Sequence, residues 1–145
     1  MSRSDFYILA TDDPQTRRHF LCKVLEKVYG LGHRIYIRAS DETSARQLDE
    51  WLWEFRSNAF LPHSLIAEQL DSPIEIGYGD SLPEHRDVFI NLELEVTDAA
   101  LTFDRIIELV IQQPDILAAT RANYRRYKLQ GYDIRMNDMR RPQAR

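Results

Sequence analysis

The sequence predicts an α/β fold with a mainly parallel sheet in one domain. Two apolar runs near the N-terminus, Phe6–Ala10 and Arg34–Ala39, are each followed by a helical pattern. Strand, helix, strand, helix in this order is typical of a βαβ unit, whose parallel strands are joined by a right-handed crossover. The 145 residues match the length of one domain and contain no repeat or linker. We therefore expect one domain over residues 1–136 and a polar, Arg-rich, mobile tail over 137–145.

The first helix is predicted from its start signal and its apolar stripe. Asp13 is placed to cap the helix, and Pro14 suits the first helical position. The helix should run to about Tyr29, because Gly30 favours a helix end. The stripe that faces the core comprises Phe20, Leu21, Val24, Leu25 and Val28. Cys22 lies off that stripe, so we expect a non-catalytic cysteine at the surface or the boundary of the core.

The second helix contains a tryptophan that its apolar stripe leaves out. This helix runs from a cap at Ser40 or Asp41 to about Phe55, and its stripe comprises Ala45, Leu48, Trp51, Leu52 and Phe55. Trp53 points away from that stripe. Either the following segment, residues 56–65, covers the Trp53 ring, or Trp53 and Phe60 mark an exposed apolar patch that anchors a protein partner.

Three further strands are predicted in the second half of the chain. Ile74–Tyr78 alternates like a half-exposed strand, and the apolar run Val88–Leu92 is typical of a buried one. Between them, Gly79–Asp87 is a polar loop. Tyr132–Met136 is expected to add a short strand at an edge of the sheet.

Two helices are expected between the last two of these strands. The first starts at Thr97 or Asp98 and continues through Gln112, until Pro114 breaks it. The second is the last helix of the chain, Asp115–Gln130.

The last helix presents a basic face. Arg121, Tyr124, Arg125 and Lys128 recur at helical spacing, so three cations surround one aromatic ring. The opposite side is a modest apolar seam that can dock on the domain, formed by Ile116, Ala119, Thr120 and Tyr127. The basic face is either a solvated face, favoured by the helix dipole, or a surface that recognises an anionic partner.

The distribution of charge favours anion recognition. Residues 117–145 contain eight Lys or Arg and two acids, a net charge of +6, whereas residues 1–116 carry 11 bases and 21 acids, a net charge of −10. A local basic end on an acidic body suits a confined anionic ligand. The net charge of −4 argues against a broad surface for duplex DNA.

Signals for nucleotides, metals and catalysis are weak. The first strand-to-helix turn has no glycine and carries Asp12 and Asp13 where a phosphate would sit, and no P-loop occurs. The single Cys22 and the widely spaced histidines form no recognisable metal site. No nucleophile elbow is present. We therefore expect neither cofactor nor catalytic residues, and, because no apolar run is long enough for a signal peptide or membrane span, a cytoplasmic location.

Over almost its whole length the chain resembles the chi subunit of the bacterial DNA polymerase III holoenzyme. The matching segments are Phe6–Leu9, Leu48–Glu50 with Trp53, Phe60–His63, Pro73–Ile76, Arg86–Leu92, and the spaced residues Arg121, Tyr124, Arg125, Tyr127, Lys128, Gly131 and Tyr132. The order and spacing of these segments carry the resemblance. It implies a single three-layer Rossmann-like fold without a nucleotide-binding loop, and a non-catalytic accessory subunit of the clamp loader.

The resemblance implies two binding surfaces. One holds the psi subunit, which links chi to the clamp loader, and the matching residues are Trp53, Phe60, Pro62 and His63. The other grips the acidic, Phe-ended C-terminal tail of the single-stranded-DNA-binding protein, so that DNA is reached through that protein. The matching tail-binding residues are Arg121, Tyr124 and Arg125, with Val110 close by in the pattern and Lys128 as a further cation.

One position departs from the family pattern. Leu117 stands where the family can carry another cation, and we expect it to line the ring pocket instead. Either the electrostatic attraction of the tail is then weaker or the pose of the tail is shifted. At Trp53, a different partner such as a helicase, or direct contact with the polymerase assembly, also stays open.

Two other functions are also compatible with the sequence. One is direct binding of single-stranded nucleic acid, with Tyr124, Tyr127 and Tyr132 as stacking platforms. The other is a nucleotide-dependent enzyme, which the glycine-free first turn disfavours.

Overall fold

The computed structural model describes residues 2–55 and 61–140, which form one parallel sheet flanked by helices. The strands are β1 (Arg3–Ile8), β2 (Ile35–Arg38), β3 (His63–Leu65), β4 (Ile74–Gly77), β5 (Val88–Asn91), β6 (Arg105–Val110) and β7 (Asp133–Asp138). The helices are α1 (Pro14–Gly30), α2 (Glu42–Glu54) and α3 (Pro114–Leu129). The strand order is β3-β4-β2-β5-β6-β1-β7. The predicted α/β class is confirmed.

The sheet separates two apolar cores, which makes three layers. Side chains alternate along β6, so Ile107 and Leu109 join the core beneath α1 and α2, whereas Ile106 and Val110 join the core beneath α3. None of the helices in the described ranges is long and apolar enough to cross a membrane.

The caps predicted for the first two helices are present. The Asp13 carboxylate accepts hydrogen bonds from the backbone N–H groups of Gln15 and Thr16, at 3.2 and 3.3 Å. The Thr16 hydroxyl and these N–H groups lower the pKa of Asp13. Asp41 accepts from the Ser44 N–H at 2.7 Å. These contacts satisfy donors that a helix start would otherwise leave unpaired.

The helix predicted through Gln112 is wrong. Only Asp98–Thr102 is helical, as a short 3₁₀ segment, and Arg105–Val110 is the interior strand β6 between β1 and β5. Its apolar residues fit either pattern, and the pairing available inside a parallel sheet decides in favour of the strand. Pro114 is the first residue of α3, a position that needs no backbone N–H, so it does not break a preceding helix.

Cys22 is buried, contrary to the surface or boundary position expected for it. The neighbouring flank of α1 packs against α2, where the guanidinium of Arg18 lies 5.2 Å from the centroid of the Trp51 ring. The apolar stripe predicted for α1 contains the residues that face the sheet. It leaves out the flank of α1 that contacts α2, where Cys22 lies. Burial raises the pKa of the Cys22 thiol to about 12, which disfavours its reactive thiolate.

Strand β4 is buried on both faces, not half-exposed as predicted. It lies inside the sheet between β2 and the short strand β3, which sequence reasoning missed. At Gly77 the backbone passes close to the fully buried ring of Tyr36, whose hydroxyl donates to the Ser81 carbonyl at 2.7 Å. A Cβ at this position would lie 2.5 Å from the Tyr36 Oη atom.

Gly77→Ala should lower the free energy of unfolding by about 1–3 kcal/mol, because the buried, hydrogen-bonded Tyr36 leaves no room for a methyl group. Urea unfolding measures this effect. Gly30→Ala is the matched control, since a Cβ there meets nothing within 4 Å and the helix should gain up to about 1 kcal/mol. Equal stability of the two variants would contradict the packing described for β4.

Candidate functional site

The inner face of α3 is fixed by a buried polar cluster around Glu108. Asn123 donates to the Glu108 carboxylate at 3.1 Å and to the Leu94 carbonyl at 2.8 Å. Its amide oxygen accepts from the Val96 N–H at 3.0 Å. The Tyr127 hydroxyl also donates to Glu108. Helix α3 is therefore held to strand β6 and to the loop before the 3₁₀ segment.

Glu108 has a strongly perturbed pKa. Its side chain is enclosed between the sheet and α3, and this burial raises its pKa to about 7, although hydrogen bonds from Tyr127 and Asn91 oppose the shift. The Tyr127 pKa is raised by burial and by Glu108. Sequence reasoning missed this cluster, and the available signal was an acid within the apolar run of β6.

The outer face of α3 leaves its cations exposed. Arg121, Arg125 and Lys128 are all solvent-exposed. Within the described residues, no hydrogen bond or ion pair engages the guanidinium of Arg121 or Arg125. Arg126, in contrast, donates to the Val96 carbonyl and pairs with Asp98. The basic face therefore carries two guanidinium groups that are available to an anionic ligand.

Apolar side chains border this basic face. The Tyr124 ring is half-buried, with its centroid 6.0 Å from that of Phe6, and the Lys128 ammonium lies 6.0 Å from the Tyr124 centroid. Leu117 packs on the same core and is also half-buried. Val110, expected as a contact residue, is only 2% exposed and lies in the core below. Cations, a ring and an aliphatic side chain are thus adjacent on one surface.

A second candidate surface surrounds Trp53, which points away from the apolar stripe as predicted and is 56% exposed. The indole centroid lies 4.3 Å from that of the His63 ring. His63 is buried, and its ring nitrogens lie 2.7 Å from the Leu61 carbonyl oxygen and 3.1 Å from that of Asp49. His63 therefore supports the indole from beneath and offers almost no surface of its own.

The other two residues expected at this surface are Pro62 and Phe60. Pro62 is half-buried beside the strand β3. Phe60 lies outside the described residues.

The usual nucleotide position at the start of α1 is chemically unsuitable for phosphate. The Asp13 carboxylate already occupies the N–H groups that would bind it. A cavity of about 210 Å³ lies nearby between α1 and α2, with Arg17 and Arg18 among its lining residues. In residues 2–55 and 61–140 no group of three or more His, Cys, Asp or Glu side chains is arranged to hold a metal ion.

The chain is thus a three-layer α/β domain with a basic helix face and a separate exposed tryptophan. Residues 1–135 match the family model described as DNA polymerase III chi subunit, HolC. The subunit chi of Pseudomonas aeruginosa is 40% identical over 92% of this chain and 94% of its own length, and that of Haemophilus influenzae is 31% identical over 90% and 93%. The chi subunit of Escherichia coli is 26% identical over 92% of this chain and 96% of its own length.

The chain therefore belongs to the family of DNA polymerase III chi subunits, which are accessory subunits of DNA replication.

Glu108→Gln should remove a pH-dependent component of stability. The ordinary pKa of the group is 4.5, so between pH 4.5 and about 7 the folded chain holds more protons than the unfolded chain. Its free energy of unfolding therefore falls as pH rises through this window, by about 3 kcal/mol at most from this group. Urea unfolding at several pH values measures the slope, and we expect a flatter slope for the variant. Equal slopes would show that Glu108 does not titrate in this way.

Proposed function

We propose that this chain captures the acidic, Phe-ended C-terminal tail of the single-stranded-DNA-binding protein on the outer face of α3. We also propose that psi binds at the Trp53 surface and links the chain to the clamp loader. The chain itself is a non-catalytic adaptor. The observation that carries the proposal is the presence of two exposed guanidinium groups, Arg121 and Arg125, beside the half-buried ring of Tyr124.

The chemistry of such a tail matches this surface. A planar guanidinium can bind a terminal carboxylate through two parallel hydrogen bonds, a role we assign to Arg121. Tyr124 and Leu117 supply an apolar wall for the terminal phenyl ring. Arg125 and Lys128 attract the acids that precede it. Because the contact is small and rich in charge, we expect micromolar affinity that weakens with salt.

Val110 and His63 are buried, and each supports a proposed binding surface from the core side. The Val110 side chain is buried, so it does not contact the tail directly but packs beneath the apolar wall of the tail site. His63 likewise acts by holding the Trp53 indole, and Pro62 and Phe60 complete the proposed psi surface. A helicase that binds this surface would compete with psi for the same indole.

Direct binding of single-stranded nucleic acid is a weaker alternative. Tyr127 is fully buried and Tyr132 is 8% exposed, so neither ring can stack on a base, and only Tyr124 is half-accessible. A titration with a labelled oligonucleotide separates the two functions. Tight binding to naked strand would favour this alternative over the adaptor.

Arg121→Ala should weaken binding of a labelled tail peptide about 10- to 100-fold, because a charge-assisted hydrogen bond to the carboxylate is lost. Fluorescence anisotropy measures the dissociation constant. The melting temperature should stay nearly unchanged, since the side chain is exposed.

Arg46→Ala is the matched control for this experiment. It removes the same charge from an exposed position on α2, where Arg46 pairs with Glu42, and should leave tail affinity unchanged. A similar loss of affinity in both variants would show that Arg121 acts only through the net charge of the chain and not through a specific contact with the tail. A large drop in melting temperature would make Arg121 a structural residue.

Trp53→Ala should weaken binding of psi by about 30-fold or more, as truncation of a central aromatic anchor does. Tail affinity should stay unchanged, because Trp53 lies on α2 beside β3, whereas the tail site is formed by α3. Isothermal titration with purified psi and with the tail peptide measures both. Loss of tail binding together with psi binding would mean that the variant fails to fold normally or that the two surfaces are not separate.

A further inference from the structure

A shallow depression lies at the rim of α1, on the face of the sheet opposite α3. It has a volume of about 170 Å³ and is lined by Tyr7, Phe20, Lys23, Val24, Lys27 and Val28. The Tyr7 and Phe20 ring centroids are 5.4 Å apart, and both rings are half-buried. Pockets for drug-sized ligands measure about 300–1,000 Å³, so this depression suits a single side chain.

Two lysines on the solvent side of the depression have no partner in the described part of the chain. Lys23 and Lys27 are exposed and one helical turn apart. The nearest acid on α1, Glu26, lies one helical turn after Cys22 and therefore on the same flank, which faces α2. The lysines therefore offer their charge to solvent or to a ligand.

The acids on the adjacent strands are already neutralised. Asp5 on β1 pairs with Arg3 at 3.1 Å and with Arg105 at 2.6 Å. Asp133 on β7 pairs with Arg135 at 3.3 Å. The excess charge at the rim of the depression is therefore positive.

We propose that this depression is a second peptide-binding site, which takes one bulky apolar side chain flanked by acidic residues. The apolar side chain packs against the Tyr7 and Phe20 rings, with the buried Val24 and Val28 beneath it. Lys23 and Lys27 attract acids on either side of it. The nearby guanidinium groups of the strands are engaged in ion pairs, so the site suits an internal residue of a peptide and not a free C-terminal carboxylate.

The test uses the full chain labelled with ¹⁵N and the blocked peptide acetyl-Asp-Asp-Phe-Asp-Asp-amide at low salt. We expect saturable shifts of the amides of Tyr7, Phe20 and Val24. A peptide with Ser in place of Phe should bind about 10-fold or more weakly, because the apolar burial is lost. Equal binding of the Ser peptide, or no saturation at these amides, would overturn the proposal.

The double variant Lys23→Glu with Lys27→Glu should raise the dissociation constant measured from these amide shifts about 10-fold. Arg46→Glu with Arg140→Glu changes the net charge equally at exposed positions outside both proposed peptide sites. This matched control should bind at α1 as the unchanged chain does. Equal weakening in both would overturn the proposal in favour of general electrostatics. Shifts of the same amides on raising protein concentration without peptide would overturn it by assigning the depression to a second copy of the chain.

Discussion

The burial of the Glu108 carboxylate constrains the side of the domain on which α3 lies. A carboxyl group enclosed between a sheet and a helix costs free energy unless donors surround it. Asn123 and Tyr127 supply two of these donors from α3, and Asn91 supplies another from the neighbouring strand. These contacts fix the rotation of α3 about its own axis. Because successive helical positions are about 100° apart, Arg121 then points toward solvent. The basic face is thus a consequence of the buried one.

Aromatic rings at boundaries connect the cores to both proposed surfaces. The Tyr124 ring lies near Phe6 on its core side, and the Lys128 ammonium lies 6.0 Å from its centroid. Trp53 lies on the buried ring of His63, which is held between two backbone carbonyl groups. A ring held by the core loses little conformational freedom when a partner covers it, so such positions favour binding. The charged side chains around them supply attraction and selectivity.

The sequence allowed the α/β class, the start signals of α1 and α2 and the basic face of α3 to be predicted, because each depends on local spacing. Features that depend on distant contacts were missed. The strand β6 was mistaken for a helix, since I-I-E-L-V fits both periods until its strand neighbours are known. Cys22 was misplaced because α2 covers a flank that the stripe of α1 does not reveal. The burial of Val110 and His63 likewise depends on tertiary packing, which cannot be predicted from the spacing of residues in the sequence.

The central proposal for this chain is that α3 is a receptor for an acidic, Phe-ended tail. Its most direct test is a fluorescence titration of the unchanged chain with a labelled tail peptide at low and high salt, beside a peptide that lacks the final Phe. We expect saturable binding that requires this Phe and weakens as salt rises, because an apolar wall and exposed cations act together. Absence of binding to the intact peptide, or binding indifferent to the final Phe, would contradict it.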